Sequence, residues 1–298
     1  MKLLALAALV VPLGLAAPMP VPDSNPITDE KIEFGRTLFA DARLSKDGTI
    51  ACTSCHDPER AFTTPDAVSR GVFGRTGRRN APTIINRAWG RVFLWDGRAA
   101  TLEQQVLMPI QDPNEMDLSL DEASRRVGLT PDAIADALAT YVRAQMSGNS
   151  RYDRFTSGER TALTADERNG LRVFQGRGNC LMCHVGPNFT DEKLHNTGVA
   201  WTPGDADTPG RFADEGAFAV SGQTTERGAF KTPTLREIGR TAPYMHDGSM
   251  ATLEEVVDFY NRGGRPNPHL DPDMRRLDLP DDDQRALVAF LKTLSAAR

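Results

Sequence analysis

The sequence predicts a mostly α-helical chain built as two similar domains, and three observations carry that prediction. The pattern Cys-x-x-Cys-His occurs twice, as Cys52-Thr53-Ser54-Cys55-His56 and as Cys180-Leu181-Met182-Cys183-His184. Apolar residues recur at helical spacing behind Ser and Thr caps, whereas alternating strand patterns are few. The order of cap, helix, Cys-x-x-Cys-His and Phe-Thr that fills the first half starts again at Thr164.

Each Cys-x-x-Cys-His is the attachment signature of a c-type haem. Two thiols one turn apart can each add across one porphyrin vinyl group. That brings the iron beside the next residue, whose imidazole becomes an axial ligand. The two motifs consume all four cysteines of the chain. A four-thiolate zinc site made from the two Cys-x-x-Cys pairs would leave both following histidines unexplained. The expected cofactors are therefore two covalently bound haem c groups on two cytochrome c-like domains. Cys52, Cys55, Cys180 and Cys183 attach them, and His56 and His184 bind the irons.

A length of 298 residues, 40% of them hydrophobic and 25% charged, suits two soluble domains that each bury a core. The formal charge of −5, with acids and bases mixed along the chain, excludes a nucleic-acid partner and a basic membrane-binding surface. Residues 1–17 read as a secretory signal, with Lys2, an apolar run over 3–11 and the small residues Gly14, Ala16 and Ala17. That run is too short to span a bilayer, so no stable membrane insertion is expected. Export together with haem attachment points to the periplasm. The expected domains are 18–150 and 151–298, with a flexible Pro-rich lead-in over 18–26.

In chain order, Thr28 caps a helix with Asp29 and Glu30 in its first turn and Ile32, Leu38 and Phe39 facing a core. A Gly/Arg-rich loop over 70–79 follows the first motif. Thr101 and Gln104 have the spacing of a capping box, opening a short helix expected to stop at Pro109. Ser119 and Glu122 form a second box, with Gly128 as the stop. Thr130 and Pro131 open a helix whose Ile134, Leu138, Tyr141, Val142 and Gln145 recur at helical spacing. The polar stretch 147–160 reads as a linker. Thr164 and Glu167 then cap a helix carrying Leu171 and Phe174. A Gly/Asp-rich excursion over 198–228 shows little periodicity. Thr252 and Glu255 cap a helix presenting Leu253, Val256, Val257 and Tyr260, ended by Gly263-Gly264. Asp281 opens the last helix, with Leu287, Phe290, Leu291 and Leu294 on one face.

Function turns on the face of each haem opposite its histidine. Two six-coordinate haems make an electron carrier, and an open face makes an enzyme. No histidine lies between His56 and His184, while Met108 and Met116 are either packing residues or ligands. His195, His246 and His269 all fall in the second half.

Further motifs carry a resemblance. Arg79-Asn80-Ala81-Pro82-Thr83, Trp95-Asp96-Gly97-Arg98-Ala99, Glu103-Gln104-Gln105, Pro109-Ile110 and Glu115-Met116 are similar to the first domain of bacterial dihaem cytochrome c peroxidases. Lys231-Thr232-Pro233-Thr234-Leu235-Arg236 and Ala242-Pro243-Tyr244-Met245-His246-Asp247-Gly248 resemble the second domain of the same family. The match runs in order through essentially the whole mature chain. It implies a peroxidatic first haem and an electron-transfer second haem. It places Glu115 as distal acid/base, Gln105 as the hydrogen-bonding amide, Trp95 between the haems and His246 near the second haem. It also implies one calcium ion held by Asn80, Thr241 and Pro243, whose amide and carbonyl oxygens are hard ligands suited to that ion.

Two departures from the family pattern matter. Peroxidases that need reductive activation carry a blocking histidine in the loop before Arg-Asn-Ala-Pro-Thr, and the loop 66–79 here has none. The first haem is expected to be five-coordinate or water-bound. Where those peroxidases place methionine on the second haem, this chain has Tyr260, as in MauG-type enzymes that oxidise residues of a partner protein. Met245 and Met250 remain rival ligands. The expected activity is a periplasmic dihaem peroxidase that reduces hydrogen peroxide with electrons from a small cytochrome or copper protein. The alternative is a MauG-like oxidase acting on a protein substrate. A dihaem electron carrier without peroxide chemistry is the reading from a different class.

Overall fold

The computed structural model describes residues 18–296, so the expected signal segment 1–17 lies outside the described residues. The first half holds α1 (Asp29–Phe39), α2 (Leu102–Gln111), α3 (Leu120–Val127) and α4 (Pro131–Ala144). Each starts at the expected cap: the hydroxyls of Thr28, Thr101, Ser119 and Thr130 accept from the backbone N–H three residues on. Helix α4 is buried along most of its length and packs against both α1 and α2. Leu38, Phe39, Leu102, Ile110, Ile134 and Leu138 belong to one buried cluster there.

The second half holds α5 (Arg151–Thr156), α6 (Ala165–Gln175), α7 (Phe218–Ser221), α8 (Leu253–Asn261) and α9 (Asp281–Lys292). Val173, Phe174, Leu253, Val257, Leu287 and Phe290 belong to a separate buried cluster. Strand is confined, among the described residues, to two short antiparallel pairs. β1 (Leu194–His195) sets Leu194 opposite Lys231 of β4 (Phe230–Lys231), and β2 (Trp201–Thr202) pairs with β3 (Arg211–Phe212). No helix among the described residues is long and apolar enough to cross a membrane. The mostly helical expectation holds.

The two halves repeat one packing device. In the first, α1 crosses α4 at Gly35, where an added Cβ would collide with the Ala137 carbonyl and lie 2.9 Å from Tyr141 Cβ. In the second, α6 crosses α9 at Gly170, where it would strike the Ala286 carbonyl and lie 2.7 Å from Phe290 Cβ. A glycine in mid-helix costs about 1 kcal/mol against alanine. Here it permits a helix–helix approach that no side chain allows.

Three expectations are corrected. Helix α2 does not stop at Pro109 but runs on to Gln111, because Ile110 completes its buried face with Leu102 and Val106. The stretch 147–160 is no solvated linker. It contains α5, and Ser147, Ser150 and Asp153 within it are buried: Ser147 bonds Asn86 and Glu237, and Asp153 accepts from Arg236 Nη1 at 2.8 Å. The lead-in is anchored at Asn25, which is fully buried, donates to Glu103 at 2.8 Å and accepts from Lys31 and Thr140.

Arg236 and Asp153 are 1% and 0% exposed, so each needs the other. Removing one partner of a buried ion pair strands a charge, at about 3–5 kcal/mol. Asp153→Ala should lose that much stability in denaturant unfolding of the haem-loaded protein, and a loss below about 1 kcal/mol would disprove the assignment.

Candidate active site

Each Cys-x-x-Cys-His folds as a single tight turn, Cys52–Ser54 and Cys180–Met182, closed by the histidine N–H donating to the first cysteine's carbonyl at 2.9 Å. The imidazoles are then held from behind. His56 Nδ1 lies 3.0 Å from the Phe62 carbonyl and His184 Nδ1 lies 2.8 Å from the Phe189 carbonyl. Both phenylalanines are in the left-handed region, at φ 59° and 52°. A ring whose Nδ1–H donates to a carbonyl keeps Nε2 bare, the tautomer a metal ligand requires. Burial holds both rings neutral, lowering His56 and bringing His184 down to about 4.

A cavity of about 370 Å³ runs from one motif to the other, past Trp95 and His246. A smaller one of about 70 Å³ lies between His56 and the pair Gln105 and Glu115, and both of those residues also line the larger cavity. Burial raises the Glu115 carboxyl above the ordinary carboxylate range; Asp112 adds to this, while Arg98 and Arg78 oppose it. Cavities beside paired cysteines, with neutral imidazoles offering a bare nitrogen, fit haem c at both motifs.

Between the motifs the two halves are knotted together. Trp95 Nε1 donates to the Asn80 carbonyl at 2.8 Å, and the Trp95 carbonyl accepts from Lys231 N at 2.7 Å. Asn80 N donates to the His246 carbonyl at 2.7 Å. The His246 ring stacks on Phe230 at 3.7 Å and meets Trp95 edge-on at 6.4 Å. Burial brings the His246 ring down to about 4.

A family model described as di-haem cytochrome c peroxidase matches residues 29–132. The chain is 37% identical to methylamine utilization protein MauG of Methylorubrum extorquens, over 98% of this chain and 85% of that protein. It is 33% identical to cytochrome c551 peroxidase of Nitrosomonas europaea, over 98% and 89%. This chain belongs to the di-haem cytochrome c peroxidase and MauG family. The solved structure of a MauG-like protein associated with microbial copper homeostasis superimposes with a TM-score of 0.84 at 36% identity, covering 95% of this chain and 94% of that one. The chain is thus an oxidoreductase with the MauG-like fold, and membership of a di-haem family implies two c-type haems.

The remaining candidates fall as follows within this family member. Tyr260, on α8, lines the large cavity near Cys180 and Cys183, where burial raises its phenol well above the usual range. Met245 also lines that cavity, whereas Met250 is packed in the second core and is absent from its wall. Met274, which no sequence pattern singles out, lines it too. Met116 reaches the smaller cavity from the first core, and Met108 packs against that core. Asn80, Thr241 and Pro243 share the wall of the large cavity. The Asn80 amide N–H donates to the Ala67 and Asp66 carbonyls, leaving its Oδ1 as a neutral hard donor. Among the described residues no cluster of three His, Cys, Asp or Glu side chains could hold a metal. A cation at Asn80 would therefore depend on neutral oxygens.

Two titratable residues of the wall, His195 and Lys231, receive no role from the sequence patterns. His195 is gripped by Asp271 at Nδ1 (2.6 Å) and Asp191 at Nε2 (2.9 Å), so neither nitrogen is free for a metal. Hydrogen bonding to the Cys183 thiol, and then to the two carboxylates, raises it to about 10. Lys231 is buried, which lowers it to about 7, and its Nζ donates to the Thr232 carbonyl at 2.8 Å. Only the i, i+4 spacing of Asp191 and His195 hints at the first cluster; the partner Asp271 is far away in sequence.

Proposed function

We propose that the chain is a periplasmic dihaem c-type peroxidase that reduces hydrogen peroxide with electrons from a small cytochrome or copper protein. The observation that carries this reading is the convergence of Gln105 and the buried Glu115 on the cavity beside Cys55 and His56. In it, Cys52 and Cys55 hold the first haem in a domain over 18–150, and Cys180 and Cys183 hold the second in a domain over 151–298. His56 and His184 are iron ligands, and the two separate buried clusters support the division. A calcium ion at Asn80, Thr241 and Pro243 would brace the seam.

The haems supply the redox chemistry, and the chain supplies proton handling and position. Glu115, as carboxylate, takes the proton from the near oxygen of peroxide and returns it to the leaving oxygen. The Gln105 amide donates a hydrogen bond that holds peroxide in line and stabilises developing charge. Trp95, clasped by both halves, sets an indole between the two motifs, and His246 packs against its edge.

A second reading, a MauG-like oxidase that modifies residues of a partner protein, is supported by Tyr260 on the wall beside Cys180 and Cys183. A phenolate is a hard anionic donor that stabilises oxidised iron.

Optical and EPR spectra of the oxidised holoprotein, before and after one equivalent of peroxide, test the enzyme reading. A high-spin haem that reacts without prior reduction is expected. Two low-spin haems with no response would leave only an electron carrier. Turnover of a reduced small cytochrome then separates peroxidase from partner-protein oxidase.

Because the base form of Glu115 is needed and its pKa is raised, the peroxide reaction should fail as pH drops through a limb above the ordinary carboxylate range. Glu115→Gln should abolish that limb and slow the reaction about 10²–10⁴-fold in stopped-flow measurements. Tyr260→Met should raise the potential of the second haem in a spectroelectrochemical titration; an unchanged potential would remove Tyr260 as ligand.

A further inference from the structure

The loop 66–79 carries no blocking histidine, yet it is tied closely to the turn that presents Glu115. Val72 N donates to the Glu115 carbonyl at 2.8 Å. Arg75 Nη1 donates to the Pro113 carbonyl at 2.6 Å and to Asp117 at 2.9 Å. Between these contacts, Gly71 lies flat on the turn. A Cβ there would collide with the Asn114 and Glu115 carbonyls and fall 2.7 Å from Glu115 Cα. Gly71 has φ −98° and ψ −164°, extended backbone open to any residue. Glycine is therefore required here for space and not for its dihedral angles.

The Glu115 carboxyl receives no side-chain hydrogen bond among the described residues, and burial is the first cause of its raised pKa. Its place in the cavity is consequently set by the backbone that carries it. We propose that Gly71 and the Val72 N–H form a backbone cradle that positions Glu115, making Gly71 a positioning residue for the peroxide reaction. The inference rests on the reading of Glu115 as acid/base. An added methyl at residue 71 would push the 114–115 backbone out of the cradle. Sub-ångström placement matters here, because a misplacement of about 1 Å can cost 10²-fold in rate.

The test is stopped-flow peroxide kinetics on holoprotein loaded with both haems, as a function of pH. Gly71→Ala should slow the reaction at least about 10-fold. It should also move the acid limb down toward the ordinary carboxylate range, since a displaced carboxyl loses the burial that raises it. The second haem's potential should stay unchanged. Arg75→Ala loosens the same loop-to-turn contact without a clash, because it removes only an exposed side chain whose Nη1 holds the Pro113 carbonyl and Asp117. It should shift the limb in the same direction by less. Thr76→Ala, at an exposed position of the same loop outside both cavity walls, should leave the rate near wild type.

Combining Gly71→Ala with Glu115→Gln should add nothing to Glu115→Gln alone. Wild-type rate and acid limb in both Gly71→Ala and Arg75→Ala would overturn the cradle while leaving the role of Glu115 intact. Slowing by Gly71→Ala with Glu115→Gln silent would overturn both.

Discussion

The structure depends on a hydrogen bond made twice: an imidazole Nδ1–H to the carbonyl of a left-handed phenylalanine, Phe62 in one half and Phe189 in the other. A histidine buried at a cavity wall is free to rotate and to exchange tautomers unless something behind it decides both. The carbonyl does so with a neutral acceptor, so the ring stays uncharged and its second nitrogen faces the cavity. In the first half, Gln105 and Glu115 line the same cavity as that ring. The left-handed phenylalanine is the local cost: non-glycine residues adopt this conformation only where the surroundings impose it. Phe189 is packed into the second core among Phe174 and Tyr152, which supplies that imposition.

The second requirement is that the two Cys-x-x-Cys-His motifs stay in one register, and the seam between halves meets it with polar contacts. Arg79 pairs with Asp96 in the first half and with Asp214 in the excursion of the second. Arg87 makes a two-pronged pair with Glu192, and Asn86 bonds Asn188. Such contacts fix orientation more than they add net stability, because desolvation offsets much of the attraction. An apolar interface of equal area would hold the halves together but tolerate sliding. Trp95 and His246 lie within this seam, so their mutual placement is inherited from it.

Much of the fold was legible because caps and haem-attachment patterns are local. Thr28, Ser119, Thr130, Thr164 and Thr252 each begin the helix their spacing announces. The stretch 147–160 misled because Ser147, Ser150 and Asp153 look solvated until Asn86, Glu237 and Arg236, distant in sequence, are brought to them. Pro109 misled because burial of Ile110 outweighs one lost helical hydrogen bond. At the candidate site, Gln105 and Glu115 were legible through their motif context, and both line the cavities beside His56. His195, Lys231 and Met274 were not, since their significance arises from partners or a shared wall assembled by tertiary structure. Gly71 and the crossing glycines Gly35 and Gly170 were equally silent, because a requirement for space leaves no periodic trace.

The pinned ends of the second half bear on the order in which the molecule can be completed. Tyr152 N donates to the Thr293 carbonyl, Ser150 bridges Ala296, and Ala296 N donates to Glu237. The first half, by contrast, closes on itself through Asn25, Glu103 and Asp136. The residues that close the first core are therefore all present in a chain that emerges N-terminus first before those that close the second. The second must wait for residues 293–296, and until they arrive its apolar helices stay exposed to misassembly. The half that holds His184 is thus the one whose closing contacts need residues 293–296.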